Sequence, residues 1–242
     1  MMFTTASGLS DGEDATVAAG PMVVVEHLTR TYGTGRGEVH AVRDVSFEIA
    51  RGKVVALIGR SGSGKTTLLN CVGGLDLPTS GSVVVNGDEV SSLSEPARTA
   101  LRRDQLAFVF QTFGLVPMLS ATENVGLPMR LKRVPPAERK ERVAHLLELV
   151  GLAAHADQRP GEMSGGQQQR VAIARALANS PRLLIADEST GQLDAETGAT
   201  IMALLQSVVR AEGMTAIVST HDPNLQAIAD QTLRMADGEL IN

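Results

Sequence analysis

One segment of eight residues constrains the fold of this chain more than any other: Gly-Arg-Ser-Gly-Ser-Gly-Lys-Thr at 59–66. It follows a wholly apolar run at 54–58, which predicts a strand in the middle of a sheet covered on both faces. The pattern of residues 65–72 predicts a helix that ends at Gly73-Gly74. The strand–helix alternation that begins here and returns after about residue 160 indicates an α/β fold with a mostly parallel sheet.

The segment has the spacing of a phosphate-binding loop, G-x-x-x-x-G-K-[ST]. Glycines let successive backbone N–H groups converge on an anion, and the start of the helix adds its dipole. We expect Lys65 to reach the β- and γ-phosphates and the Thr66 hydroxyl to hold Mg²⁺. The sequence therefore predicts a nucleoside triphosphate site. Its loop candidates are Gly59, Arg60, Ser61, Gly62, Ser63, Gly64, Lys65, Thr66 and Thr67.

A second apolar run, 183–186, ends in the carboxylates Asp187 and Glu188. Alone, such a pair is typical of a solvated strand end. Beside a phosphate loop it favours a Walker B element, in which Asp187 organises Mg²⁺ and Glu188 polarises the attacking water as general base.

Two further polar residues follow predicted strands, Gln111 after 106–110 and His221 after 215–220. The carboxyl ends of parallel strands share the ligand-binding edge of a sheet. There His221 could contact the γ-phosphate, and the Gln111 amide could lie near Mg²⁺ and water. A structural or surface role remains the alternative for each residue.

The rest of the pattern predicts one α/β domain at 22–242 after a disordered tail at 1–21. Strand signals at 23–30 and 39–49 predict a β subdomain before the phosphate loop, and about 114–180 predicts an inserted helical subdomain. Other expected elements are strand 83–85, helices 136–150, 165–179, 195–211 and 223–230, strands 182–186 and 215–219, and a terminal pair around Asp237-Gly238.

Composition limits the function classes. The chain has 242 residues and one cysteine, Cys71, which excludes a disulfide framework or a multi-cysteine zinc cluster and favours a reducing compartment. The net charge of −5 argues against broad nucleic-acid binding. Neither a signal peptide nor an apolar membrane span is recognisable, so we expect any membrane role to require a partner.

Met163-Ser164-Gly165-Gly166-Gln167-Gln168-Gln169-Arg170 resembles the LSGGQ signature of ATP-binding cassette (ABC) ATPases, in the order expected relative to Asp187. The resemblance covers residues 23 to about 241. It implies the P-loop ABC-ATPase fold, with an N-terminal antiparallel β subdomain, a mostly parallel core sheet and an inserted α-helical subdomain. Met163 replaces the usual leucine, and Ser189 replaces the usual proline after the general base.

The resemblance also implies how the site is completed. The signature of one copy faces the phosphate loop of a second copy, so that two ATP molecules are sandwiched in a head-to-tail dimer. Ser164, Gly165, Gly166 and Gln167 then contact ATP across the interface. By position, Tyr32 resembles the adenine-stacking aromatic, Gln111 the Q-loop, Asp194 part of the D-loop and His221 the switch histidine.

Within this family the stretches 108–111, 119–128 and 165–177 are most similar to lipoprotein-release, macrolide-efflux and FtsE-type cell-division ATPases. This implies an integral membrane permease with a large extracytoplasmic domain as partner, at the cytoplasmic face of the inner or plasma membrane. The apolar run 113–119 could receive a permease helix or pack in the core. A soluble ABC ATPase of DNA repair or ribosomes, and an importer ATPase, remain alternatives.

Overall fold

The computed structural model describes residues 20–33, 35–110, 112–187, 195–220, 227 and 229–241. It contains an antiparallel sheet, a mostly parallel sheet and a group of helices, which confirms the predicted α/β class. Within the predicted helix at 223–230, residues 223–226 and 228 lie outside the described residues.

The antiparallel sheet has the order β2-β1-β4-β5. Its strands are β1 (Val23–Tyr32), β2 (Val39–Ile49), β4 (Ser80–Val85) and β5 (Asp88–Glu89). Strand β1 is irregular, with shifts of register between Val25 and Thr31 where it pairs with β2. Strands β1 and β2 match the strand signals that predict a β subdomain before the phosphate loop, and β4 and β5, which follow the loop, extend the same sheet.

The second sheet has the order β10-β9-β3-β8-β7-β6. Its strands are β3 (Val54–Gly59), β6 (Leu106–Val109), β7 (Leu183–Asp187), β8 (Thr215–Ser219), β9 (Gln231–Ala236) and β10 (Glu239–Ile241). Only the pair β9–β10 is antiparallel. Strands β3, β8, β7 and β6 therefore all direct their carboxyl ends to one edge.

The helices are α1 (Lys65–Val72), α2 (Glu95–Asp104), α3 (Ala121–Leu131), α4 (Pro136–Leu149), α5 (Gly165–Ala176) and α6 (Ala195–Ala211). Helix α3 begins with a capping box, in which Ser120 and Glu123 satisfy each other's backbone N–H groups. The sequence pattern did not predict α2 or α3 as separate helices. Helices α3, α4 and α5 pack on one another within the predicted helical subdomain.

The alternation of side chains along the buried strands divides the apolar core into two clusters. Leu184, Ala186 and Val218 belong to the cluster that includes α3, α4 and α5. Leu183, Ile185 and Ile217 belong to the cluster that includes α1 and the antiparallel sheet. Because both faces are covered, the interiors of the central strands are apolar, and their carboxyl ends are the part of the sheet left for polar chemistry at the ligand-binding edge.

Candidate nucleotide site

The phosphate loop joins the end of β3 to the start of α1. Its conformation requires glycine at Gly62 and Gly64, where φ is +78° and +99°. A Cβ atom on Gly64 would also overlap the carbonyl oxygen of Ala41 in β2, and one on Gly59 would overlap that of Met235 in β9. Around Gly62 a Cβ would meet no atom within 4 Å. Two of the loop glycines are therefore needed for packing, and Gly62 borders open space.

Lys65 is the first residue of α1, and its side chain folds back over the loop. Its Nζ atom donates hydrogen bonds to the carbonyl oxygens of Gly59 at 2.8 Å and Arg60 at 3.1 Å. Only 4% of the residue is exposed. A buried ammonium that lines the cavity beside the N-terminus of α1 makes this turn favourable for an anion.

A polar cavity of about 740 Å³ lies against the loop, within the range of sites that hold a small-molecule ligand. Its wall is formed by residues of the phosphate loop, of β2 and of the β9–β10 turn, together with Asp187. The lining residues are Val39, His40, Ala41, Arg43, Ser61, Gly62, Gly64, Lys65, Thr66, Thr67, Asp187, Asp237 and Gly238. A second cavity, of about 620 Å³, shares Ser61, Gly62 and Asp237 with the first and also includes Gly59, Arg60 and Ser63.

The two residues predicted to organise Mg²⁺ are in direct contact. The Thr66 hydroxyl donates a hydrogen bond to Asp187 Oδ2 at 2.7 Å. The other carboxylate oxygen, Asp187 Oδ1, is buried and has no hydrogen-bond partner. Hydroxyl and carboxylate oxygens are the donors that Mg²⁺ prefers, and it usually takes its remaining ligands from water and phosphate. The residues present therefore fit this ion. Among the described residues, no three acidic, histidine or cysteine side chains are grouped so that they could hold a metal ion by themselves.

The polar edge of the sheet extends from Asp187 to its neighbour in β8. Ser219 pairs in register with both Asp187 and Leu57. The Ser219 hydroxyl is buried without a partner, as is that of Ser63 in the loop. Strands β7 and β8 thus end beside the phosphate loop, one residue before Glu188 and two before His221. Glu188, His221, Gln111 and Asp194 themselves lie outside the described residues, as does Ser189.

The signature segment starts a helix, as predicted. Ser164 is the N-cap of α5: its hydroxyl accepts from the backbone N–H of Gln167 at 3.3 Å, and the Gln167 side chain accepts from the Ser164 N–H at 2.8 Å. A Cβ on Gly166 would lie 2.8 Å from the Thr197 side chain, so this position packs closely on α6. None of the residues 164–167 lines the cavity at the phosphate loop. A single copy therefore does not bring the two predicted anion sites together.

Tyr32 ends β1 opposite Val39, which lines the cavity, although Tyr32 itself does not. The Arg30 guanidinium lies 4.4 Å from the centre of the tyrosine ring. The hydroxyl donates to Asp76 at 2.6 Å, and Asp76 also pairs with Arg30 at 2.8 Å. Burial acts to raise the pKa of Asp76, but the hydrogen bond from Tyr32 and the contacts with Leu77 and Arg30 outweigh it, so the pKa is lowered. Tyr32 is 39% exposed, and its contacts with Arg30 and Asp76 hold the side chain in place.

The predicted terminal pair around Asp237-Gly238 is present as the turn between β9 and β10, but the sequence did not indicate that this turn lies at the nucleotide cavity. Asp237 and Gly238 line the main cavity, and the Gly238 N–H donates to the Ser63 carbonyl at 3.1 Å. The Arg43 N–H in turn donates to the Gly238 carbonyl at 2.8 Å. The Asp-Gly pair signals a tight turn. Its position against a loop more than 170 residues earlier depends on the sheet order and has no local signal.

Comparisons with known proteins agree with this geometry. Residues 42–191 match the family model described as "ABC transporter". The chain belongs to the ABC transporter family. This membership confirms the predicted ATP-binding cassette and its activity as an ATP hydrolase.

Similar ABC proteins cover nearly the whole chain. YtrE, an ABC transporter ATP-binding protein of Bacillus subtilis, is 42% identical over 90% of this chain and 96% of its own length. The lipoprotein-releasing system ATP-binding protein LolD of Bordetella avium is 45% identical over 89% of this chain and 94% of its own. The solved cassette MJ0796, described as a dimer in a post-hydrolysis state with ADP and Pi, has a TM-score of 0.83 and 41% identity, covering 91% of this chain and 97% of that chain.

No helix within the described ranges is both long and apolar enough to cross a bilayer.

Proposed function

We propose that two copies of this ABC ATPase bind two ATP molecules between them, and that a separate membrane permease uses the resulting closure and opening. The supporting observation is that Lys65, Thr66 and Asp187 meet at one cavity, whereas Ser164 and its helix lie outside it. The signature of a second copy would complete the site. The dimeric MJ0796 cassette supports this arrangement.

Each residue has a distinct task in this proposal. The loop N–H groups and Lys65 bind the β- and γ-phosphates, and Tyr32 stacks on the adenine. Thr66, Asp187 and Gln111 would hold Mg²⁺, which when bound neutralises charge on the phosphates. The second copy contributes the residues that face the γ-phosphate side of the site: Ser164, Gly165, Gly166, Gln167 and Asp194.

Hydrolysis starts when Glu188 accepts a proton from water, whose oxygen then bonds to the γ-phosphorus. The bond from that phosphorus to the β–γ bridging oxygen breaks, and ADP leaves with the electron pair. His221 contacts the γ-phosphate and stabilises its charge. Once the phosphate is free, the two copies separate.

The general-base assignment is tested with Glu188→Gln. This change keeps the size of the side chain but removes the proton acceptor, so ATP binds normally, turnover falls by at least about a hundredfold and a closed dimer accumulates. Lys65→Ala provides the contrasting variant, because it weakens nucleotide binding itself. Near-wild-type turnover of Glu188→Gln would refute the assignment, and unchanged ATP affinity of Lys65→Ala would refute the phosphate contact.

The described part of the Q-loop region offers a surface for a permease. Phe110 is 46% exposed and Met118 is 74% exposed. Leu115, in contrast, packs against the core. Arg175 of α5 donates to the carbonyl oxygens of Phe113 at 3.0 Å and Gly114 at 2.6 Å. We propose that a permease helix contacts this surface at the cytoplasmic face of the membrane, and that Arg175 transmits movement between it and the signature helix.

Partner capture tests the transporter assignment. ATP-loaded Glu188→Gln protein is isolated from solubilised native membranes, and its companions are identified by mass spectrometry. A permease with few helices and a large extracytoplasmic domain supports a lipoprotein-release, efflux or mechanotransmission system. A many-helix permease with a solute-binding protein indicates an importer. Ribosomal or DNA-repair proteins alone would contradict the membrane assignment.

A further inference from the structure

The connection between α3 and α4 concentrates positive charge on an acidic protein. Residues 130–142 contain six Lys and Arg residues and two Glu residues, a net charge of +4, whereas the whole chain carries −5. Lys132 pairs with Asp104 at 3.0 Å and Arg142 with Glu212 at 3.1 Å. Arg130, Arg133, Arg139 and Lys140 form no ion pair with any described residue.

Helix α4 separates its charges between two faces. Glu138, Glu141 and Arg142 line a cleft toward Ser180. Arg139 and Lys140 line a different, smaller cleft between α3 and α4, of about 170 Å³, together with Arg130. The acidic residues of this segment are absent from the second cleft, whose other lining residues are Thr122, Gly126, Pro136 and Val143. Its floor is thus mainly apolar and its charged groups are all cations.

Hydrogen bonds define the backbone of the connection between α3 and α4. Helix α3 ends in a Schellman motif: the Val134 N–H donates to the Met129 carbonyl and the Arg133 N–H to the Arg130 carbonyl, both at 3.0 Å. Arg133 occupies the left-handed position of this motif, with φ of +59°, where glycine is the usual residue. Pro135 and Pro136 then start α4. A rigid connection loses little conformational freedom on binding.

An apolar side chain projects beside the cations. Leu131 is 74% exposed between Arg130 and Lys132. Basic residues around an exposed leucine are typical of segments that lie at an anionic membrane surface, where the cations contact phosphate and the apolar side chain enters the headgroup boundary. We propose that Arg130, Leu131, Arg133, Arg139 and Lys140, here called the basic turn, bind the phosphate groups of anionic phospholipids. This contact is additional to the permease and does not require it.

The test measures binding of the isolated chain to vesicles by co-sedimentation. We expect binding to vesicles of phosphatidylglycerol mixed with phosphatidylcholine and none to phosphatidylcholine alone. Because each cation near an anionic surface contributes about fivefold, Arg130→Gln/Lys140→Gln weakens binding about thirtyfold. The matched control Arg182→Gln/Arg210→Gln removes two exposed cations elsewhere, gives the same net charge and leaves binding within about twofold.

Two single variants separate lipid contact from folding. Arg133→Gly removes a cation at a backbone position that favours glycine, so binding falls about fivefold while thermal stability stays the same or rises. Leu131→Ser weakens binding about tenfold by removing the apolar contact. If inorganic phosphate or glycerol phosphate at millimolar concentration displaces the chain from vesicles completely, the site binds the free anion and the lipid proposal is wrong.

The proposal also fails if the wild-type chain does not bind anionic vesicles. It fails as well if Arg130→Gln/Lys140→Gln and the control Arg182→Gln/Arg210→Gln weaken vesicle binding equally. Retention by an acidic peptide without vesicle binding would contradict it as well and indicate a protein partner. The ATP hydrolysis rate of every variant should remain at the wild-type level, because none of these residues lines the nucleotide cavity. Failure of lipid binding is therefore distinguishable from failure of the proposed ATPase mechanism.

Discussion

Replacing each of the three phosphate-loop glycines by alanine tests why glycine is required at that position. Gly62→Ala places a side chain at positive φ but in open space, so it costs about 1–2 kcal/mol of unfolding free energy. Gly59→Ala has no positive φ but overlaps the Met235 carbonyl, and overpacking costs about 1–3 kcal/mol. Gly64→Ala combines both defects, with φ of +99° and overlap with the Ala41 carbonyl.

Approximate addition gives about 2–5 kcal/mol for Gly64→Ala, a large part of the 5–15 kcal/mol that stabilises a typical domain. Urea unfolding without nucleotide measures all three variants against the wild type. The expected order of destabilisation is Gly64→Ala first, with Gly62→Ala smaller. The packing argument is wrong if Gly62→Ala destabilises as much as Gly64→Ala, or if Gly59→Ala has no effect.

Three other predictions follow from the described contacts. Tyr32→Phe should keep the ATP affinity of the wild type in a nucleotide titration. Tyr32→Ser should lower the affinity about tenfold or more, because stacking of a base on an aromatic ring contributes about 1–3 kcal/mol. Equal affinities of the two variants would show that Tyr32 does not stack on the adenine. Burial raises the pKa of the Cys71 thiol to about 12, so iodoacetamide should label it only after unfolding, and labelling of the native chain at neutral pH would contradict its burial. Hydrogen bonding from Arg103, with a further contribution from Lys132, lowers the pKa of Asp104 to about 2. The ionised carboxylate therefore stabilises the folded chain fully above about pH 4, and this stabilisation is lost toward pH 2. Asp104→Asn should flatten the dependence of the unfolding free energy on pH in this range, and an unchanged dependence would refute the assignment.

The features that the sequence predicts well are those with a local cause. The phosphate loop lies between an apolar strand and a helix start, and the signature begins with a serine that caps its own helix. The apolar run at 183–186 predicts that Asp187 lies at a strand end, and the parallel register of the sheet brings Asp187 to Thr66. In each case a few adjacent residues determine the conformation.

The features that were missed depend on distant parts of the chain or on weak local signals. Nothing near Asp237-Gly238 indicates that this turn contacts Ser63, because the contact follows from β9 lying beside β3. Helix α3 contains Pro128, which argues against a helix, although Ser120 and Glu123 form a recognisable capping box. The sequence analysis explains the loop glycines by the convergence of backbone N–H groups on an anion, and the structure adds a packing cause for Gly64, the carbonyl oxygen of Ala41 in β2.

The central claim is that ATP is bound between the phosphate loop of one copy and the signature of another. Mixing two disabled variants tests it most directly. Lys65→Ala damages the phosphate loop but keeps Ser164, and Ser164→Arg blocks the signature but keeps the loop. With Glu188→Gln in both chains to prevent hydrolysis, neither variant alone should dimerise on ATP, as measured by sedimentation velocity. Their mixture should form a dimer containing one of each copy and one ATP, because one complete composite site remains. Absence of that mixed dimer, or ATP-driven dimerisation of the Ser164→Arg variant alone, would contradict the account.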